Sequence, residues 1–218
     1  MNTPLPIADI LRLSPVMPVV IIEEAATAAD LARALVRGGI RVIEVTLRTK
    51  QALKAIEAIA AQVPEICVGV GTIMTPEDLN RAANAGATFA ISPGATRELL
   101  EAGATFRIPY LPAVATGSEL MTALAAGYSH FKLFPANVAG GLGALKAFYG
   151  PFPDARFCPT GGVTPQTAGS YLEQPNVLCV GGSWLTPGDA VKSRDWQRIE
   201  TLAREAAALR PAPATARA

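Results

Sequence analysis

The sequence is poor in histidine and cysteine, the residues that most often build zinc sites and catalytic triads. His130 is the only histidine among 218 residues, which argues against a histidine-rich zinc site and against a Ser-His-Asp triad built elsewhere. Cys67, Cys158 and Cys179 are far apart in the sequence, and there is no CxxC pair or Cys/His cluster. Each lies in an apolar run, which predicts buried, reduced thiols and no metal site.

The chain also lacks a strong charge of either sign and long apolar runs. Its 19 basic and 18 acidic residues give a net charge of +1, and no basic run predicts a nucleic-acid surface. The apolar runs are short and broken by Gly, Pro or charge, so no membrane span is predicted. Asp9 and two prolines stand where a secretory signal needs basic and then apolar residues. We expect a cytoplasmic protein that binds neither nucleic acid nor membrane.

What the chain does contain is a regular alternation of short apolar runs and amphipathic helical segments. Half of its residues are hydrophobic, so a large core is possible. Eight short apolar runs have the length of buried parallel strands. The predicted strands are 16–22, 42–47, 66–71, 88–92, 107–111, 130–134, 156–159 and 177–180.

Helix signals follow most of these runs. Gly38-Gly39 ends a helix over 28–37, and Thr75-Pro76, followed by two acidic residues, begins another. Eight strand–helix units predict one (β/α)8 TIM barrel over residues 1–209, with a short N-terminal helix at 7–13. An open doubly wound sheet is the alternative, although its G-x-G-x-x-G fingerprint is missing after the first strand. Residues 210–218 predict a disordered tail.

Two charged residues occupy mid-strand positions. Glu44 lies within R-V-I-E-V-T-L-R, and if it faces the interior, Arg48 emerges at the carboxyl-terminal mouth. Lys132 lies within H-F-K-L-F-P-A, whereas the other lysines fit helix surfaces or, for Lys192, a loop. An ammonium in an apolar strand is costly unless it is paired or neutral.

The pair has a structural and a catalytic interpretation. A buried Glu44–Lys132 ion pair that merely specifies packing is the simpler one. The other is a nucleophilic lysine with a carboxylate base. A free lysine amine is only on the order of 0.1% neutral near pH 7.4, and burial and a nearby cation such as Arg48 favour loss of its proton. Because Glu44 opposes that loss, we expect it to lie a water's width from Lys132.

Two glycine pairs accompany the last two predicted strands. C-P-T-G-G-V-T-P (158–165) leads from the seventh strand into a helix, and V-G-G-S-W (180–184) follows the eighth. Barrels often bind phosphate with these two loops, because glycine lets backbone N–H groups approach an anion. The two pairs together predict a phosphorylated small molecule, although a tight turn explains either pair alone. Thr72, after the third strand, is placed to hydrogen-bond a carboxylate beside Arg48.

Taken in order, six motifs resemble those of a known family over residues 15 to about 207. They are E-V-T-L-R-T (44–49), G-T (71–72), I-S-P-G (91–94), F-K-L-F-P-A (131–136), F-C-P-T-G-G (157–162) and C-V-G-G-S-W (179–184). The set is similar to the 2-keto-3-deoxy-6-phosphogluconate (KDPG) aldolases of the Entner–Doudoroff pathway, with their activity on 4-hydroxy-2-oxoglutarate. The resemblance implies a class I aldolase of carbohydrate metabolism: a TIM barrel, free of metal and cofactor, and usually a homotrimer.

The resemblance also implies a role for each matched position. Lys132 resembles the Schiff-base lysine, and Glu44 resembles the general acid/base. The other implied roles are carboxylate binding for Arg48 and Thr72, pocket walls or hydroxyl contacts for Pro93, Phe134 and Thr160, and phosphate binding for Gly161, Gly162, Gly182 and Ser183. Ala113 and Ala115 depart from the family pattern and leave the shape of the strand-five loop open, and E-V-T-L-R-T favours the gluconate branch over the galactonate branch.

The implied reaction cleaves KDPG to pyruvate and glyceraldehyde 3-phosphate, and 4-hydroxy-2-oxoglutarate to pyruvate and glyoxylate. Two rival hypotheses use the same residues. A phosphosugar isomerase or epimerase would use Glu44 as base and Lys132 as an electrostatic electrophile. A phosphate-ligand sensor would keep only the glycine loops, but a binding protein has no need of both the buried lysine and the buried glutamate.

Overall fold

The computed structural model describes residues 4–209, in which short strands alternate with helices. All strand pairs in this part of the chain are parallel, as expected for strands connected through helices. The strands are β1 (Val16–Val20), β2 (Val42–Thr46), β3 (Cys67–Gly71), β4 (Ala90–Ile91), β5 (Tyr110–Leu111), β6 (Ala113–Val114), β7 (His130–Leu133), β8 (Arg156–Pro159) and β9 (Val180–Gly182).

Most helices lie between successive strands and cover the outside of the sheet. The longer ones bury a stripe of alanine, leucine or isoleucine and leave a polar side in solvent. They are α1 (Ile7–Ile10), α2 (Ala28–Arg37), α3 (Ala52–Gln62), α4 (Pro76–Asn84), α5 (Arg97–Ala104), α6 (Gly117–Ala125), α7 (Gly141–Tyr149), α8 (Pro165–Leu172), α9 (Gly188–Ser193) and α10 (Trp196–Ala207), with a 3-10 turn at Ala25–Thr27.

The parallel sheet is strongly curled. Six strands lie in the order β5-β4-β3-β2-β1-β9, and three more in the order β6-β7-β8. Isolated bridges between Phe157 and Val177 and between Thr160 and Gly181 connect β8 to the β9 side. The fold is therefore α/β, with a parallel sheet that wraps around an interior.

The buried residues form two clusters, one on each face of the curled sheet. The larger cluster lies between the strands and the helices and includes Phe131, Leu133 and Phe157. The smaller one fills the interior, where side chains from the strands meet Ile10 and Leu11 at the amino-terminal end. The expected short N-terminal helix is thus present, although it ends at Ile10. The inner cluster also contains Met17, Val42, Ile91, Leu111 and Cys158 from the strands, and Phe89 and Cys179, which lie just before β4 and β9.

All three cysteines are free. Cys158 and Cys179 are buried as predicted, whereas Cys67 is only partly buried. The Cys67 Sγ lies 3.1 Å from Thr88 Oγ1, and burial raises the pKa of this thiol above its ordinary value. The expectation of buried thiols is therefore confirmed for two cysteines and only partly for the third.

Three sequence expectations about secondary structure were wrong in detail. The fifth predicted run, 107–111, is a strand only at Tyr110–Leu111, and an unpredicted strand, β6, continues after Pro112, which has no N–H to give to the ladder. The last strand is Val180–Gly182 rather than 177–180, so its glycine pair lies within the strand and not after it. Lys192 lies on helix α9, not in a loop.

The predicted start of α4 is confirmed. Thr75 accepts a hydrogen bond from the Asp78 N–H, Asp78 reaches back to the Thr75 N–H, and Pro76 is the first helical residue. Helices α6 and α8 begin with the same reciprocal arrangement, at Thr116 and Thr164. These capping boxes fix the loops that leave the carboxyl-terminal edge of the sheet. Within residues 4–209, no helix combines the length and the apolar character needed to cross a bilayer. The predicted tail at 210–218 lies outside the described residues.

Candidate active site

The candidate residues lie at or just beyond the carboxyl ends of the parallel strands. Because all of these strands run in one direction, their carboxyl ends share one edge of the sheet, where ligands bind in such folds. The set follows β2 (Arg48), β3 (Thr72), β4 (Pro93), β7 (Phe134), β8 (Thr160, Gly161, Gly162) and β9 (Ser183), while Glu44, Lys132 and Gly182 lie within β2, β7 and β9.

The central feature of the site is a direct contact between Lys132 and Glu44. The Lys132 Nζ donates to Glu44 Oε1 at 2.9 Å and to Oε2 at 3.2 Å. Lys132 is 5% exposed and Glu44 is 2% exposed, whereas every other ion pair between described residues includes an exposed side chain. The expectation of a water's width between them was wrong, since β2 and β7 face each other closely enough for the two side chains to meet.

The Phe134 ring forms one wall beside this pair. Its centroid lies 5.3 Å from the Lys132 Nζ, within the range of a cation–π contact. The position is fixed by the backbone, because Lys132 N–H donates to Pro112 O and Phe134 N–H donates to Val114 O. Leu133, between them, is buried in the outer cluster, as strand alternation predicts.

Two small side chains flank Lys132 on the neighbouring strands. Ala113 on β6 and Cys158 on β8 are its register partners. A hydrogen bond with Cys179 lowers the pKa of the Cys158 thiol, with the Lys132 ammonium acting in the same direction, while the pKa of Cys179 is raised well above its ordinary value by that hydrogen bond and by burial. The loop after Ala113 is tied to α6, because Ala115 N–H donates to Glu119 Oε2 at 2.7 Å.

Thr72 has an unusual backbone at the mouth. Its φ is +64°, which a β-branched residue adopts only when its surroundings impose it, and such conformations cluster at functional sites. Thr72 lines a cavity of about 210 Å³ with Leu47 and Thr49, residues from the end of β2. Arg48 is exposed beside them, so its guanidinium is accessible to a ligand.

The glycine pair after β8 does require glycine. Gly161 and Gly162 have φ values of +98° and +76°, and a Cβ on Gly162 would lie 2.3 Å from Asn137 Cγ. The loop leads into α8, whose first turn begins after Thr164. Backbone N–H groups at such a glycine turn and helix start are suited to an anion.

The second glycine pair, Gly181-Gly182, leaves space for two other side chains. A Cβ on Gly181 would lie 2.1 Å from Thr160 Oγ1, and one on Gly182 would meet the Trp184 ring. Thr160 is buried, and its Oγ1 donates to Cys158 O at 3.3 Å. Ser183 lines a cavity of about 620 Å³ together with Val19 and Lys192. This cavity lies beside the second glycine pair rather than at the lysine–glutamate pair.

Several residues near the site were not identified from the sequence. Val19 is the register partner of Glu44 and lines the larger cavity, and Cys158 is the register partner of Lys132. Gly71 lies against the Glu44 carboxylate. The register that brings Val19 to Glu44 and Cys158 to Lys132 is not readable from one sequence. Among the described residues, no group of three His, Cys, Asp or Glu side chains could hold a metal ion.

The described residues form a curled parallel α/β sheet that holds a buried amine against a carboxylate, beside glycine loops suited to an anion. An amine next to a carboxylate base is an arrangement that serves enzymes forming an imine with a carbonyl substrate.

Comparison with known proteins gives the family. Residues 7–202 match the family model described as KDPG and KHG aldolase. The chain is 51% identical over 200 residues to the 2-dehydro-3-deoxy-phosphogluconate aldolase of Pseudoalteromonas atlantica, with 92% of this chain and 93% of that protein covered. It is also 51% identical over 198 residues to the KHG/KDPG aldolase of Escherichia coli K12, covering 91% and 93%. The chain belongs to the KDPG and KHG aldolase family.

A solved structure agrees with this assignment. The KDPG aldolase of Legionella pneumophila superposes with a TM-score of 0.90 at 49% sequence identity, covering 92% of this chain and 97% of that one. That structure holds pyruvate captured at low pH as a covalent carbinolamine intermediate.

Proposed function

We propose that this protein cleaves KDPG to pyruvate and glyceraldehyde 3-phosphate, and also cleaves 4-hydroxy-2-oxoglutarate to pyruvate and glyoxylate. The observation that carries the proposal is the buried contact between Lys132 Nζ and the Glu44 carboxylate, 2.9 Å apart at the mouth of the sheet. A keto-acid lyase of this class needs these two groups, an amine to form the imine and a base to take the hydroxyl proton.

Substrate binding uses the groups around the pair. Arg48 and Thr72 bind the carboxylate of the keto acid, which lies next to the reacting carbonyl. Phe134 and Pro93 wall the pyruvoyl part, and Thr160 contacts a hydroxyl group. The backbone around Gly161, Gly162, Gly182 and Ser183 binds the phosphate, which places the C4 hydroxyl between the two ends. Binding both ends of the substrate orients the C3–C4 bond for cleavage.

Imine formation comes first. Lys132 loses a proton to the adjacent Glu44 carboxylate, and its neutral amine attacks C2 of the keto acid to give a carbinolamine. Loss of water gives a protonated imine, which withdraws electrons more strongly than the original carbonyl. Because Glu44 contacts Nζ directly, it accepts and returns protons at this nitrogen without a relay.

Carbon–carbon cleavage follows. Glu44 takes the proton of the C4 hydroxyl, the C3–C4 electron pair moves into the imine, and the aldehyde leaves. The remaining enamine gains a proton at C3, and water then hydrolyses the imine to release pyruvate and restore the amine of Lys132. Each proton that Glu44 accepts is returned within the cycle.

Borohydride trapping tests the proposal. Adding pyruvate and borohydride to the protein should reduce the imine and leave a pyruvate-derived mass on the peptide that contains Lys132. Lys146 on α7 offers a matched control, since Lys146→Met should trap normally and Lys132→Met should not. An adduct on another lysine, or no adduct together with no pyruvate release from KDPG in a coupled assay, would disprove the assignment.

The proposal also covers the closure of the barrel, the oligomeric state and the cellular location of the protein. We infer a closed eight-stranded (β/α)8 barrel in one domain over residues 1–209, supported by the bridges that join β8 to the β9 side and by the continuation of β5 into β6. We infer a homotrimer from the resemblance to this family, whose members are usually trimeric. Free thiols and the family's place in the Entner–Doudoroff pathway support a cytoplasmic enzyme. Light scattering tests the trimer.

A further inference from the structure

The Glu44 side chain lies across strand β3 at a position without a side chain. A Cβ built on Gly71 would lie 2.1 Å from Glu44 Oε1, 2.7 Å from its Cγ and 2.8 Å from its Cδ. Gly71 pairs in register with Thr46, and Glu44 pairs with Gly69, so the carboxylate leans two register positions toward the mouth. The space that a side chain at residue 71 would fill is occupied by the carboxylate.

Glycine is not needed here for its conformational freedom. Gly71 is not among the glycines of the described chain with positive φ, unlike Gly161 and Gly162. An alanine would therefore fit the backbone of β3, and only the space that Glu44 takes opposes it. At Gly69, two residues earlier, a side chain would meet an aromatic ring instead of Glu44, because a Cβ there would lie 2.2 Å from the Phe89 ring.

We propose that Gly71 is a positioning residue whose missing side chain provides the seat for the Glu44 carboxylate. Glu44 is held between Gly71 on one side and the Lys132 amine on the other. This seat sets the distance between the base and the amine. The inference rests on the proposed function, because it assigns to Gly71 the placement of the group that moves protons.

The geometry predicts which atoms an alanine would move. The added Cβ would collide with Glu44 Oε1, Cγ and Cδ, so the whole Glu44 side chain must rotate, while the backbone of β3 accepts alanine. Because the rotation takes a buried carboxylate away from its amine, we also expect a lower free energy of unfolding. Lys132 is held by its strand, with its N–H bonded to Pro112 O, and stays in place. Gly71→Ala should therefore fold and separate the carboxylate from the amine. Misplacing the base relative to the amine should cost about 100-fold in rate, and this loss should appear in kcat rather than KM.

The experiment compares Gly71→Ala with Gly143→Ala, the same substitution on α7 where a Cβ meets nothing within 4 Å. Turnover of KDPG is measured from pH 5 to pH 9, together with the rate of pyruvate–borohydride trapping. We expect Gly143→Ala to match the wild type. Gly71→Ala should lose about 100-fold in kcat, with a changed pH profile and a near-normal KM. A wild-type kcat and pH profile in Gly71→Ala would overturn the proposal.

A double-mutant cycle shows whether the effect passes through Glu44. In a Glu44→Ala background the carboxylate is gone, so adding Gly71→Ala should change neither the trapping rate nor the free energy of unfolding. An equal loss in both backgrounds would contradict the proposal. If Gly71→Ala alone did not fold, folding of the double variant would still support the seat, and failure of both would refute it.

Failure of the proposed function and failure of the role of Gly71 would give different results. If the wild type released no pyruvate from KDPG and trapped no pyruvate, the proposed function would fail. The unfolding cycle would still report whether Gly71 seats the Glu44 side chain. If the wild type were active and Gly71→Ala equally so, only the role of Gly71 would fail.

Discussion

The Lys132 Nζ lies 2.9 Å from Glu44 Oε1, although the two residues are 88 positions apart in the chain. Both side chains are removed from water, so each ion depends on the other for its charge to be tolerated. Such a pair does not by itself favour folding, because the loss of hydration offsets much of the attraction. Its value lies in chemistry, since the carboxylate can take the proton that keeps the amine from attacking a carbonyl.

Removing one partner of this pair should destabilise the protein more than removing both. Lys132→Met leaves Glu44 as an unpaired buried charge, which we expect to lower the free energy of unfolding by about 3–5 kcal/mol. Lys132→Met with Glu44→Gln removes both charges and should recover much of that loss. Urea unfolding of the wild type and the two variants at neutral pH measures this. Equal losses in Lys132→Met and in the double variant would show that charge pairing is not the cause.

Gly181→Ala should disturb Thr160 without disturbing imine formation. A Cβ at this position would lie 2.1 Å from Thr160 Oγ1, and β-branched Thr160 cannot easily rotate away. If Thr160 contacts a substrate hydroxyl, losing that hydrogen bond should lower kcat/KM for KDPG about 10-fold. Pyruvate–borohydride trapping should keep its rate, because pyruvate has no such hydroxyl. A parallel loss in both assays would assign Gly181 to the folding of the site as a whole.

Asp78→Ala should loosen the loop that carries Thr72. Asp78 Oδ2 accepts hydrogen bonds from the N–H groups of Met74 and Thr75, which come two and three residues after Thr72. We expect about 1 kcal/mol of lost stability and a higher pyruvate concentration for half-maximal trapping. Glu119→Ala is the control, because it removes the matching cap of α6 and should cost similar stability without the change in pyruvate dependence. Equal pyruvate dependence in both variants would contradict a role for the Asp78 cap.

The only histidine should make stability depend on pH. Burial, followed by the nearby charges of Arg12 and Arg156, lowers the pKa of His130 below its ordinary value of 6.5. The unfolded chain then binds more protons than the folded one between these two pKa values, so this contribution to stability is present above pH 6.5 and is lost as pH falls through that window. His130→Gln should show a smaller drop in the free energy of unfolding between pH 7.5 and pH 5 than the wild type. An identical drop in the variant and the wild type would show that another group causes the pH dependence.

Much of the architecture could be read from local patterns. The strand positions were found because fully buried parallel strands are short apolar runs between helix signals, and the Thr75-Pro76 start of α4 follows from capping chemistry. Lys132 and Glu44 were found because a charge in such a run violates the pattern. The end of the last strand was predicted wrongly because the glycine pair at 181–182 was interpreted as a turn. In the structure the pair lies within the strand, and Gly181 lies beside Thr160.

By itself the sequence determined the succession of strands and helices and the identity of the two charged residues within strands, because alternation and capping act over a few neighbours. Only the tertiary structure decided that the Glu44 carboxylate contacts the Lys132 amine directly, and that Gly71 leaves the space in which it lies. Both depend on how a curled sheet brings β2, β3 and β7 together, and distances across an interior are fixed by packing rather than by spacing along the chain.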